Sequence, residues 1–116
     1  MNELTIYHNP RCSKSRQTLA LLEQQGVKPE VIEYLKTPPS VASLSEIIGQ
    51  LGMSARQLLR RGETEYKALN LADESLSEQQ LIQAMCEHPK LMERPIVIHN
   101  GKARIGRPPE AVLEIL

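Results

Sequence analysis

The order of elements in the first 34 residues does most to restrict the fold. Leu4-Thr5-Ile6-Tyr7 is a short β-type run ended by Asn9-Pro10. Leu19, Leu21 and Leu22 predict a helix that begins just after Cys12 and stops at Gly26. Val31-Ile32-Glu33-Tyr34 then reads as a second strand. Strand, helix and strand in so short a span leave room for a crossover, so the two strands are expected to pair in parallel.

The middle of the chain carries a different pattern. Thr37-Pro38-Pro39 breaks the second strand. Leu44, Ile47, Ile48 and Leu51 follow the spacing of an amphipathic helix, with Ser43 and Glu46 as its expected capping box and Gly52 as its stop. Ser54 with Gln57, and Ser77 with Gln80, mark two further helix starts ahead of Leu58-Leu59 and of Leu81, Ile82 and Met85. Pro95 then opens the strand Ile96-Val97-Ile98-His99. Asn100-Gly101 predicts a type I′ turn, because both central residues need positive φ. Ala103-Arg104-Ile105 is the returning strand, and Pro108 is expected as the first residue of a last helix through Val112, Leu113 and Ile115. The predicted fold is α/β: βαβ, a helical insert, then ββα, in one domain over residues 1–116. That order resembles a thioredoxin-like domain, which by itself implies no activity.

Composition excludes several classes of function. The 14 basic and 14 acidic residues cancel, which argues against nucleic acid and against a polybasic membrane anchor. No apolar run reaches membrane-spanning length, and MNELTIYHNP lacks the basic and apolar regions of a secretory signal, so a cytoplasmic location is expected. Thiols stay reduced there. Cys12 and Cys86 are far apart and neither has a CxxC partner, which disfavours a disulfide and leaves no zinc spacing. With no Trp or Phe, the core is expected to be aliphatic.

Cys12 is the residue around which chemistry is expected. It falls between the first strand and the first helix, among Asn9, Pro10, Arg11, Ser13 and Lys14, which predicts an accessible loop. Unsatisfied N–H groups and a partial positive charge at a helix N-terminus favour a thiolate over a thiol, as do nearby Lys and Arg. The same features bind oxyanions. Such surroundings bring a cysteine pKa from about 8.5 to between roughly 3.5 and 7.5. Cys86, on the apolar stripe with Ile82 and Met85, reads instead as a small core filler. A CxxC dithiol is excluded because position 15 is Ser15, and a Cys-x5-Arg phosphate loop because position 18 is Thr18. His8 has two readings, a partner of the thiolate or nearby backbone, or a strand-end residue without a role. Ser15 likewise either donates to the sulfur or caps the helix. His99, beside the turn, is expected to face solvent.

An oxyanion calls for guanidinium groups. Spacing alone does not say which of the eight arginines converge. Arg94 and Arg107 each precede a proline, which biases them to extended geometry at the edges of elements. Thioredoxin-like domains carry a cis proline before the third strand, and Pro95 fits that place, so Arg94 is expected beside the thiol. Arg56 and Arg61 read as solvated surface charges.

Taken together, His8-Asn9-Pro10-x-Cys12-x-x-Ser15-Arg16, Tyr34-Leu35-x-Thr37-Pro38-Pro39, Leu58-Leu59-Arg60, Arg94-Pro95-Ile96-Val97 and Arg107-Pro108 resemble the glutaredoxin-dependent arsenate reductases. The resemblance runs through essentially the whole chain. It implies that the Cys12 thiolate attacks arsenate and that Arg60, Arg94 and Arg107 hold the anion. It further implies that glutathione, a co-substrate rather than a bound cofactor, displaces the adduct and that glutaredoxin resolves the mixed disulfide. No resident metal is implied. Ser13-Lys14 departs from the small Gly-Thr pair of the family, leaving the loop more cationic and stiffer. The alternative is a binding or regulatory protein built on the same fold, with the cysteine vestigial.

Overall fold

The computed structural model describes residues 4–116. They form two compact units, one made of the chain up to Thr37 together with Arg94–Leu116, the other of Pro38–Glu93.

The first unit holds β1 (Leu4–His8), α1 (Ser13–Gln24), β2 (Glu30–Glu33), β3 (Ile96–His99), β4 (Lys102–Ile105) and a closing 3₁₀ helix, Pro109–Ile115. The sheet order is β2-β1-β3-β4. β1 runs parallel to β2, with Ile6 opposite Val31, and antiparallel to β3, with Ile6 opposite Val97. β3 and β4 are an antiparallel hairpin. This is the mixed thioredoxin-like sheet that the βαβ and ββα segments imply. Leu4, Ile6, Leu22, Val97, Val112 and Ile115 form its buried cluster, with Leu19, Leu21 and Val27 packed against it. Each fully buried aliphatic side chain there contributes roughly 1.5–3 kcal/mol of transfer free energy. The peptide bonds Arg94–Pro95 and Arg107–Pro108 are both cis.

The hairpin turn follows its sequence signal: Asn100 and Gly101 have φ of 53° and 75°. The last helix departs from expectation. Pro108 is not its first residue but the extended residue before it, at φ −71° and ψ 165°, and Pro109 takes the first position of a 3₁₀ helix. A residue that precedes proline avoids the helical region, so Pro108 ahead of Pro109 cannot enter the helix. His99 does not face solvent either. It is 8% exposed and its Nδ1 bonds the carbonyl of Ile115, so the C-terminal end of the 3₁₀ helix covers it.

The second unit holds α2 (Val41–Leu51), α3 (Ala55–Leu58), α4 (Thr64–Ala68), α5 (Glu78–Glu87) and a 3₁₀ turn, Pro89–Leu91. Leu44, Ile47, Ile48, Leu58, Leu81, Ile82 and Met85 are buried in it. The capping boxes of Ser54 with Gln57 and of Ser77 with Gln80 form as expected. The cap of α2 is Ser40, whose hydroxyl accepts from the Ser43 N–H; Ser43 itself lies inside the helix. Arg56 is not a solvated charge. Its Nη1 and Nη2 donate to the carbonyls of Leu71 and Asp73, both at 2.9 Å, and fasten the loop after α4. Cys86 is half-buried at the edge of the α5 stripe rather than within the core.

Candidate active site

The segment between β1 and α1 is organised by Asn9. Its backbone carbonyl accepts from the Cys12 N–H at 3.0 Å. Its side-chain Oδ1 accepts from the Arg11 N–H at 3.0 Å, an Asx turn. Its own N–H donates to Ser15 Oγ, also at 3.0 Å. Arg16 closes the loop from outside, with Nη1 donating to the Pro10 carbonyl at 2.9 Å. Three bonds on one residue leave the four-residue connection little freedom.

Cys12 is the N-cap of α1, at φ −94° and ψ 123°. The sequence predicted an accessible loop cysteine, whereas Cys12 is 8% exposed. The turn closed on the Asn9 carbonyl directs its side chain inward, while Arg11, Ser13 and Lys14 keep the solvent-facing places. The sulfur accepts no capping bond from the helix N–H groups. It accepts from Arg107 Nη2, at 3.7 Å. The same guanidinium donates through Nε to the Arg94 carbonyl at 2.9 Å. A cation therefore touches the sulfur directly, and one planar group links three segments remote in sequence.

His8 and Ser15 settle into a role that neither of their two sequence readings gave. Ser15 is fully buried, and its Oγ lies 2.6 Å from His8 Nδ1. It does not bond the sulfur, and the cap of α1 is Cys12, three residues earlier. With the Asn9 N–H also on Ser15 Oγ, the end of β1 is pinned to the first turn of α1. Burial lowers the His8 pKa from its ordinary value, and Arg16 adds to this; the Glu33 carboxylate opposes it. That direction favours the neutral imidazole, which can accept the Ser15 hydroxyl proton at Nδ1.

The predicted arginines divide. Arg107 and Arg94 lie in the unit that carries Cys12. Arg94 reaches the site through its backbone carbonyl, and its Nε and Nη1 are buried. Arg60 lies in the helical unit, paired with Glu63 at 2.9 Å and with Glu93 at 3.7 Å, and its N–H donates to the Leu91 carbonyl.

Residues 7–115 match the ArsC family. The chain belongs to the ArsC family. It is 65% identical over 115 residues to the protein YfgD of Escherichia coli strain K12, which covers 98% of this chain and 97% of that one. It is 54% identical over 112 residues to an arsenate reductase of Haemophilus influenzae, covering 96% and 97% of the two chains. A solved structure of an arsenate reductase from Vibrio cholerae superposes with a TM-score of 0.97 at 59% identity, covering 99% of this chain and 98% of that one.

Sequence reasoning missed two supports of this ArsC-family site. Asn9 was visible only as a strand stop, although an Asn two residues ahead of a loop N–H is itself an Asx-turn signal. Gly106, which precedes Arg107, carried no signal at all, because what it accommodates is remote in sequence. Among the described residues, no helix is long and apolar enough to cross a membrane.

Proposed function

We propose that this chain reduces arsenate to arsenite. The observation that carries the reading is the 3.7 Å contact between Arg107 Nη2 and Cys12 Sγ, which puts a nucleophile and an oxyanion-binding fork in one place. The Cys12 thiolate attacks arsenic, one arsenate oxygen leaves as water, and a sulfur–arsenic bond forms. The glutathione thiol then replaces a second oxygen of the adduct, which leaves as water, so that arsenic(V) carries both sulfurs. The glutaredoxin thiolate attacks the glutathione sulfur: the glutathione–arsenic bond breaks with its electron pair left on arsenic, which becomes arsenic(III), and the glutathione–glutaredoxin disulfide forms. Water then hydrolyses the remaining Cys12–arsenic bond, releasing arsenite and the Cys12 thiol. No second thiol is needed beside Cys12, in keeping with Ser15 where a CxxC motif would have cysteine. Arg107 holds the anion in this reading, and Arg94 and Arg60 are assigned to the same task by resemblance. The chemistry belongs in the cytoplasm, where thiols are kept reduced.

The test is an arsenate-dependent loss of NADPH in a mixture of glutathione, glutaredoxin and glutathione reductase. Wild type should turn over, Cys12→Ser should fall to background, and omission of glutaredoxin should stop the reaction. A wild-type protein that consumes no NADPH with arsenate, while glutaredoxin reduces a control disulfide in the same mixture, overturns the reading.

A further inference from the structure

Gly106 follows β4 and directly precedes Arg107. Its N–H donates to the Pro95 carbonyl at 2.9 Å. It is not among the glycines with positive φ, so φ does not call for glycine there. What the position forbids is a side chain. A Cβ there would lie 2.4 Å from Thr18 Oγ1, 2.9 Å from Pro95 Cγ and 3.1 Å from Thr18 Cγ2. Neither neighbour yields easily. Thr18 is fully buried in α1, with its hydroxyl donating to the Lys14 carbonyl at 2.8 Å, and Pro95 is a buried ring. Relieving the contact would take a shift of about 1 Å, and the short 105–107 segment after β4, held by single hydrogen bonds, gives way more readily than a buried helix or the Pro95 ring.

Arg107 hangs from that strand end. Its N–H donates to the Ile105 carbonyl, its Nε to the Arg94 carbonyl, and its Nη2 to Cys12 Sγ. The last contact, at 3.7 Å, lies close to the limit for a sulfur acceptor, so a shift of about 1 Å removes it. We propose that Gly106 is a positioning residue: its missing side chain lets the 105–107 segment seat against Thr18 and Pro95, and that seat aims the Arg107 guanidinium at the Cys12 sulfur. The proposal concerns the same site as the arsenate reading and rests on it for its catalytic meaning, but its test does not require arsenate.

The readout is the ratio of Cys12 alkylation rates by iodoacetate, an anion, and iodoacetamide, its neutral counterpart. One cation about 4 Å away is worth about a fivefold change in that ratio at a water-like dielectric, the appropriate limit for an exposed guanidinium. Gly106→Ala should lower the ratio about fivefold, to that of Arg107→Ala. In an Arg107→Ala background the same substitution should leave the ratio unchanged, which a general loosening of the fold would not do. Thr18→Ala/Gly106→Ala, which removes two of the three close contacts, should recover part of the ratio. An unchanged ratio in Gly106→Ala, an equal fall in the Arg107→Ala background, or no recovery in the double variant overturns the proposal. So does a wild-type ratio no higher than that of Arg107→Ala. If Gly106→Ala does not fold by circular dichroism, Thr18→Ile presses the same contact from the helix side and must show the same Arg107-dependent fall; an unchanged ratio there is equally decisive. Failure of the NADPH assay with the ratios behaving as expected would overturn the arsenate reading and leave the role of Gly106 standing.

Discussion

Replacing Ser15 by alanine probes the least exposed part of the site. Ser15 is 0% exposed and holds two partners, the Asn9 N–H at 3.0 Å and His8 Nδ1 at 2.6 Å. Ser15→Ala deprives both. A buried polar group left without a partner costs about 1–3 kcal/mol. Asn9 is half-buried and can recruit water, so its share sits near the bottom, about 1 kcal/mol; His8, at 6% exposure, takes about 2 kcal/mol. Alanine returns about 0.5 kcal/mol through its better helix propensity. The net loss is therefore about 2–2.5 kcal/mol. With a urea slope of about 2 kcal/mol per molar, the midpoint should fall by about 1 M. The assay is urea unfolding followed by far-ultraviolet circular dichroism, with Ser13→Ala as the control, because Ser13 is an exposed residue of the same helical turn. A loss below about 0.5 kcal/mol at unchanged slope is what a solvated first-turn serine gives, and it would refute the pinned junction of β1 and α1.

Two further predictions concern pH and the core. Burial lowers the folded-state pKa of His8 below its ordinary 6.5, so between those values the unfolded chain binds a proton that the folded chain does not. Stability is then full above about pH 6.5 and declines as the pH falls through the folded-state value. Urea midpoints measured from about pH 7.5 down to about pH 5 should show that slope in wild type and a flatter one in His8→Asn; identical slopes would remove His8 from the acid response. The Asp73 carboxyl, held below its ordinary 3.8 chiefly by the Ser75 side chain, titrates beneath this window. In the sheet unit, Leu22→Ala should cost about 3 kcal/mol, because Leu22 is fully buried in the cluster with Leu4, Ile6, Val97, Val112 and Ile115. A loss under about 1 kcal/mol by the same urea assay would mean that the cluster is not the core of its unit.

Partner distance decided what could be read in advance. The Asn100-Gly101 turn and the Ser54 and Ser77 capping boxes depend on residues no more than three positions away, and each formed as its signal required. Ser43 was misread as the cap of α2 for a related reason. Ser40 and Ser43 both precede a helical run, and the helix starts at the first competent cap because each residue added gains a backbone bond. Pro108 and Asn9 were also misread over local partners, Pro109 and the Arg11 N–H, whereas the misses at His99 and Arg56 are non-local. His99 meets a carbonyl 16 residues on, and Arg56 meets carbonyls 15 and 17 residues on. The place of Cys12 between β1 and α1 was legible, because a polar turn ahead of a helix is a local pattern. Its burial was not, because that follows from how the Asn9 turn closes in three dimensions.

The same reasoning explains why the cation on the sulfur is an arginine. Arg107 serves two acceptors with different nitrogens of one plane, the Arg94 carbonyl 13 residues away and the Cys12 sulfur 95 residues away. A lysine offers one point charge and would have to choose between them. The Nε bond anchors the base of the fork, so the Nη end holds its place with little further loss of rotamer freedom. The bond it makes there is a long one to a weak acceptor, at 3.7 Å. Charge-assisted bonds from guanidinium to an oxyanion are shorter, about 2.7–2.9 Å, and roughly twice as strong as neutral ones. In the arsenate reading proposed above, an incoming tetrahedral anion would take over the Nη end without disturbing the Nε anchor, and in doing so would meet the sulfur that the guanidinium had been holding.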